Sequence, residues 1–324
     1  MNNNPLINAT GLKRYFDISG PFTFLKKRIV KAVDGVDIKI YNGEAFGLVG
    51  ESGSGKSTLG RLLLRLIPAS QGKIVFLNKD ITDLPERRLK ELRKQMQIIL
   101  QNPYASLNPR MRVGKSAAEG LDAHRIGSKR ERLDSVIKMF ETVGLKREYI
   151  QKFPHELSGG ERQRVCIARA LILNPRFVVA DEPVSALDVT IQAQILSLLT
   201  QLQKQFSLSI LLITHDLRIV RHIAKTTAVM YLGKIVELAD TEELFKNPIH
   251  PYSKLLLASI PPAHPKDRKN RTHDPENYNA IMFPQNGCRF INRCESAKTE
   301  CSEEKEILRE ISKNHWVACS LNYK

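Results

Sequence analysis

No apolar run in the chain approaches the roughly 20 residues that a helix needs to cross a bilayer, which excludes a helical membrane span. The first residues, Met1 to Ile7, have neither the basic start nor the apolar stretch of a secretory leader, so the chain is expected to remain in the cytoplasm. There is no internal repeat, no long heptad-patterned insertion and no basic run interleaved with aromatic residues. Solenoid architectures, coiled-coil chromosome proteins and aromatic nucleic-acid platforms are thereby disfavoured. Cysteine never occurs as C-x-x-C, the spacing that paired zinc knuckles require.

What remains is a globular chain. It has 324 residues, 42% of them hydrophobic, enough for one large domain with an appendix or for two modest domains. Its 50 basic residues against 34 acidic ones give a net charge of +16. That excess suits nucleic acid, anionic lipid headgroups, a phosphorylated ligand or simply a solvated lysine-rich surface, and charge alone does not choose among them.

Strand-like apolar runs alternate with helical patterns from about residue 30 to 240, the signature of an α/β fold built on a largely parallel sheet. Between Pro103 and Pro154 the strand signal fades. Leu133, Val136, Ile137 and Phe140 then recur at helical spacing, which predicts a helical insertion. Beyond Ile260 the chain turns polar, proline-rich and basic, marking a linker. The segment after it is too short and too polar to form a large core of its own, so something else must staple it.

The run Ala45 to Val49 leads directly into Gly50-Glu51-Ser52-Gly53-Ser54-Gly55-Lys56-Ser57, followed by Thr58 and leucines at helical spacing. Strand, glycine-rich loop and helix in that order form a phosphate cradle. The glycines let backbone N–H groups converge, the helix start adds its dipole, Lys56 adds a charge and Ser57 offers an oxygen to Mg²⁺. The bland alternative is a glycine-rich turn without a ligand.

Three further apolar runs end on polar residues. Phe177 to Ala180 delivers Asp181 and Glu182, Ile210 to Thr214 delivers His215, and Met96 to Leu100 delivers Gln101. In open parallel sheets ligands bind at the carboxyl ends of the strands. Asp181 suits Mg²⁺, Glu182 suits a base for an attacking water, His215 can reach the γ-phosphate, and Gln101 can touch metal and water. Taken singly, acidic residues often end strands and a lone histidine is usually structural.

Leu157-Ser158-Gly159-Gly160-Glu161 opens a helix whose apolar face is Val165, Ala168, Leu171 and Ile172. Ser158 and Glu161 make a capping box, but a capping box does not require two glycines, and exposed glycines at a helix start admit an anion. Together with Ser185-Ala186-Leu187-Asp188, these motifs resemble the ABC family of ATPase domains over residues 6 to 255 or so.

That resemblance implies an ABC-type P-loop fold: a RecA-like parallel-sheet core, an antiparallel β subdomain, a helical subdomain at about 103–157 and an ATPase domain spanning 1–257. It implies that two such domains pack head to tail, with Ser158, Gly159, Gly160 and Glu161 facing ATP on the partner's loop and Asp188 between the sites. An aromatic residue, Phe16 or Tyr15, would stack on adenine. ATP and Mg²⁺ are the implied cofactors.

Gln101 to Arg110 and His250-Pro251-Tyr252-Ser253 are similar to segments of oligopeptide and dipeptide permease ATPases, and the stretch Asp17 to Lys31 resembles the second of the two ATPases such permeases use. The implied partners are two transmembrane permease subunits, a related second ATPase (or a second copy) and, through the complex, an extracytoplasmic binding protein. The place implied is the cytoplasmic face of the membrane. Nickel or another small solute is the alternative cargo, and an ABC-type ATPase acting on nucleic acid is the alternative class.

Cys288, Cys294, Cys301 and Cys319 crowd the extension at 258–324. Their spacing matches neither paired zinc knuckles nor the standard ferredoxin run, leaving buried free thiols, zinc with His315 as a further ligand, or a cluster. The family resemblance implies a [4Fe-4S] cluster on the four thiols.

Overall fold

The computed structural model describes residues 4–19, 28–260, 287–303 and 306–322. Of the Asp17–Lys31 stretch, residues 20–27 lie outside that set, as does the proline-rich linker from 261. The strands, in chain order, are β1 (Ile7–Asp17), β2 (Ile29–Ile40), β3 (Ala45–Val49), β4 (Gln71–Phe76), β5 (Lys79–Asp80), β6 (Met96–Ile99), β7 (Phe177–Asp181), β8 (Ser209–Thr214), β9 (Thr226–Tyr231), β10 (Lys234–Asp240), β11 (Arg309–Ser312) and β12 (His315–Val317).

They form two sheets. The larger runs β11-β12-β10-β9-β3-β8-β7-β6, and the smaller, antiparallel one runs β2-β1-β4-β5. Strands β6, β7, β8, β3 and β9 are parallel neighbours. The apolar runs of β3, β7 and β8 follow from burial on both faces, every residue of these three strands being buried, whereas the edge strand β6 keeps Gln97 and Ile98 half-buried. Alternation along the strands divides the side chains. Phe46, Leu48, Phe177, Val179, Leu211 and Ile213 pack with Ile7, Leu12 and Ile74 of the smaller sheet. Val178, Ala180, Ile210 and Leu212 face the opposite way, onto Val165, Ala168 and Leu199 of the helices.

Between Pro103 and Glu156 the described chain is helical, with helices Val113–Ala123 and Lys129–Thr142, the second opened by a Ser128–Glu131 capping box. Val136 and Phe140 are buried there as their spacing predicts. Leu133 is not; it is 46% exposed, and the buried stripe starts one turn later and takes in Met139.

The extension is stapled by the main sheet. Strand β12 adds antiparallel to β10, and β11 adds to β12. At that join the buried His315 Nε2 meets Glu237 Oε1 at 2.8 Å. Glu237 also accepts the N–H groups of Ile249 and His250, both at 2.9 Å, so the buried carboxylate is fully engaged. Among the described residues no helix is long and apolar enough to cross a membrane.

Candidate active site

Strand β3 delivers the loop Gly50–Ser57 onto the helix Lys56–Leu63. Gly50 and Gly55 take φ of 153° and 106°, and a Cβ at either would sit 2.2 Å from Met230 O or 2.1 Å from Ala32 O. Only glycine fits there. Gly55 supplies no side-chain cap, so the helix start keeps its N–H groups for an anion. Lys56 is 4% exposed, and burial pulls its ammonium below the usual lysine range. It turns back on the loop, donating to Gly50 O and Glu51 O at 2.7 Å each.

The three other expected strand ends meet beside this loop. Ser57 Oγ donates to Asp181 Oδ1 at 2.8 Å, joining the two oxygen donors suited to a hard cation. Burial pushes the Asp181 carboxyl above its ordinary range, with nearby Glu182 adding to the push. Gln101 Nε2 donates to Glu182 Oε2 at 2.7 Å, and His215 Nδ1 lies 3.1 Å from Glu182 Oε1. Glu182 itself sits in the left-handed region at φ 45°, its N–H donated to Ile213 O at 2.9 Å. A non-glycine residue held this way is strained, and the strain falls on the residue whose carboxylate meets both Gln101 and His215.

Glu51 departs from the expectation that it lines the cradle. Its N–H goes to Tyr252 Oη and its carboxylate to Arg293, so it anchors the loop instead. Tyr15 gives its hydroxyl to Asp34, and burial with that hydrogen bond pushes its pKa up to about 12. Phe16, with the Arg14 guanidinium 4.6 Å over its ring, has no such hydroxyl to commit.

The Ser158–Glu161 capping box is formed, with Ser158 N–H to Glu161 Oε2 at 2.8 Å. A Cβ on Gly159 would lie 3.1 Å from Leu187, and one on Gly160 would lie 2.7 Å from Ile191. The two glycines thus pack on the segment around Asp188, which caps the helix Val189–Gln205 through Ile191 N–H at 3.0 Å. That packing buries Gly160 and half-buries Gly159, against the expectation that both are exposed, while Ser158 and Asp188 remain exposed.

The four tail cysteines line one pocket with His250, Phe290 and Ile291. His315 is not among its walls and, against the expectation, is no zinc ligand there, because its ring is spent on Glu237 in the sheet. Among the described residues no three of these thiols come within 4.8 Å of one another, whereas His250, Cys288 and Glu306 each bring one ligand atom within that distance. His250 Nδ1 accepts Tyr252 N–H at 3.1 Å and burial lowers its pKa to about 4. The neutral ring therefore carries its proton on Nε2, which has no hydrogen-bond partner among the described residues.

The sequence pattern of the ABC transporter family matches residues 33–185, and that of the oligopeptide/dipeptide transporter C-terminal region matches 236–301. The chain is 45% identical over 320 residues to the putative oligopeptide transport ATP-binding protein YkfD of Bacillus subtilis, covering 98% of this chain and 95% of that protein. It is 43% identical over 323 residues to the oligopeptide transport ATP-binding protein AppF of the same organism, covering 99% and 98%. A solved dimeric post-hydrolysis structure of the ATP-binding cassette MJ0796, bound to ADP and Pi, superposes with a TM-score of 0.65 at 25% identity, over 72% of this chain and 98% of that one.

The chain belongs to the ABC transporter ATPase family.

As an ABC ATPase it is the ATP-hydrolysing subunit of a membrane transporter. The C-terminal match opens at residue 236, inside β10, the strand to which the tail adds β12. What sequence reasoning about this ABC ATPase missed is that Arg293 of the tail and Tyr252 of the preceding helix hold Glu51 of the loop, while Arg289 pairs with Asp34 of β2. The available signal was the pair of arginines set between Cys288 and Cys294.

Proposed function

We propose that this ABC ATPase drives the import of short peptides through two transmembrane permease subunits at the cytoplasmic face of the membrane. The observation that carries the reading is the Gln101–Glu182–His215 cluster set against the Ser57–Asp181 pair, in a chain 43–45% identical over nearly its full length to peptide transport ATP-binding proteins. Lys56 and the N–H groups of Ser52, Gly53, Ser54, Gly55, Ser57 and Thr58 hold the phosphates of ATP, and Phe16 stacks on adenine. Glu182 takes the proton of the water that attacks the γ-phosphate, while Gln101 and His215 hold its carboxylate in line. Ser57, Asp181 and Gln101 are hard oxygen donors that fit Mg²⁺, which when bound neutralises charge on the phosphate oxygens.

Ser158, Gly159 and Gly160 with Asp188 form the face that closes over ATP held by a second ATPase, most simply a related distinct subunit, in a complex whose permease is fed by an extracytoplasmic binding protein. Removing the gene is expected to abolish uptake of radiolabelled di- and tripeptides, with recovery on wild-type complementation. Loss of nickel uptake with peptide uptake intact assigns the alternative cargo.

The cysteine pocket suits a [4Fe-4S] cluster on Cys288, Cys294, Cys301 and Cys319. Four thiols share one apolar-walled pocket, they stand too far apart for one ion, and a buried imidazole N–H lacks a partner beside them. Burial pushes the Cys288 thiol up to about 12, a cost that bound iron offsets by holding the thiolate. Such a cluster would contribute folding energy to a tail poor in apolar mass. Protein purified without oxygen is expected to be brown and to contain iron and sulfide; colourless, iron-free protein sinks this assignment.

A further inference from the structure

Glu51 is held at each of its polar groups. Its carbonyl accepts from Lys56 Nζ at 2.7 Å, its N–H goes to Tyr252 Oη at 2.8 Å, and its carboxylate takes two bonds from Arg293 at 2.8 and 2.9 Å. Two of these three partners lie far along the chain, in the helix Pro251–Ala258 and beside Cys294. The Arg293 side chain is 11% exposed, its guanidinium 5.5 Å from the Phe290 ring and 5.8 Å from Tyr231. Tyr252 is fully buried against the same two rings. A second tie runs in parallel: Arg289 donates to Leu232 O, and the adjoining Gly233 N–H is donated to Ser54 O at 2.8 Å.

The phosphate-loop motif leaves the second position open, and this chain fills it with a carboxylate. A negative charge at the mouth of a site for a polyanion opposes binding unless it is neutralised nearby. Arg293 neutralises it in a bidentate pair, and Glu51 in turn holds the guanidinium charged. Tyr252 fixes the same residue's backbone, so the loop meets the nucleotide already ordered.

The geometry points to Arg293 of the C-terminal extension and Tyr252 of the preceding helix as positioning residues of the nucleotide site, and through Arg293 the extension sets how tightly this subunit binds ATP. The inference rests on the loop Gly50–Thr58 being the ATP cradle. Tail and loop are therefore one functional unit, although more than two hundred residues separate them in sequence.

The test is ATP affinity of the full-length chain by calorimetry with Mg·ATP, with the melting temperature of each variant measured alongside. Arg293→Met is expected to weaken binding about tenfold, and Tyr252→Phe about threefold, each measured well below the variant's own melting temperature. The double variant Glu51→Gln/Arg293→Met removes the uncompensated charge and is expected to recover to within about threefold of wild type, a rescue that a merely structural role does not give. Arg293→Lys keeps the charge but not the two-pronged contact, and an intermediate loss of about threefold is expected of it. It keeps the question open to measurement should the methionine variant fail to fold. Affinity within twofold of wild type for Arg293→Met, wild-type affinity for Arg293→Lys, or no rescue by Glu51→Gln overturns the inference, provided that Lys56→Ala weakens binding by roughly 10²-fold. Normal binding by Lys56→Ala overturns the cradle reading itself.

Discussion

Glu182→Gln is expected to bind ATP as wild type does and to hydrolyse it roughly 10²–10⁴-fold more slowly. The amide has the shape of the carboxylate but cannot accept a proton from water. The surroundings act on this one carboxylate from two sides, Gln101 Nε2 at 2.7 Å on one oxygen and His215 Nδ1 at 3.1 Å on the other. With base strength lost and phosphate contacts kept, the ATP-bound pair of ATPases should accumulate, because hydrolysis is the step that releases it. Single-turnover phosphate release beside equilibrium nucleotide binding separates the two effects. Full turnover by the glutamine variant removes Glu182 from the role of base.

Lys56→Ala is expected to fail earlier, with ATP binding weakened by roughly 10²-fold, as the loss of a desolvated charge-assisted contact implies. The lysine is 4% exposed, so its charge acts on phosphate through little intervening water. Its ammonium also ties the carbonyls of Gly50 and Glu51, and their release loosens the loop that must order around the nucleotide. Calorimetric titration with ATP reads this directly. The contrast decides the roles: the glutamine variant loses turnover with binding intact, and the alanine variant loses binding itself.

The nucleotide machinery was legible because its requirements are local. Gly50 and Gly55 mark backbone conformations and close approaches that no Cβ allows, and motif order places a strand before the loop and a helix after it. The apolar runs ending in Asp181 and His215 told that these strands are buried on two faces, and with the run ending in Gln101 they told which strand ends gather beside the loop. Periodicity was less reliable at its margins. Leu133 fits the helical stripe yet is exposed, since spacing gives a face and not how far the neighbouring element extends over it.

The tail was legible only as a need for stapling. His315 and the cysteines are close in sequence, but the histidine went to the sheet and His250, from before the linker, lines the pocket in its place. Similarly, Glu51 reads as a neutral position of its motif, and its partners Tyr252 and Arg293 stand 201 and 242 residues away.

By itself, then, the sequence determined the phosphate loop, the strand-end residues, the helical insertion and the capped signature helix, each specified by residues within a turn or a strand of one another. Tertiary structure alone decided that the tail extends the main sheet at β10 and that its Arg293, together with Tyr252 from before the linker, grips the phosphate loop. The physical reason is that backbone conformation and amphipathic period are properties of neighbouring residues, whereas the partner of an open sheet edge or an unpaired charge is whichever distant segment the completed fold brings within hydrogen-bonding reach.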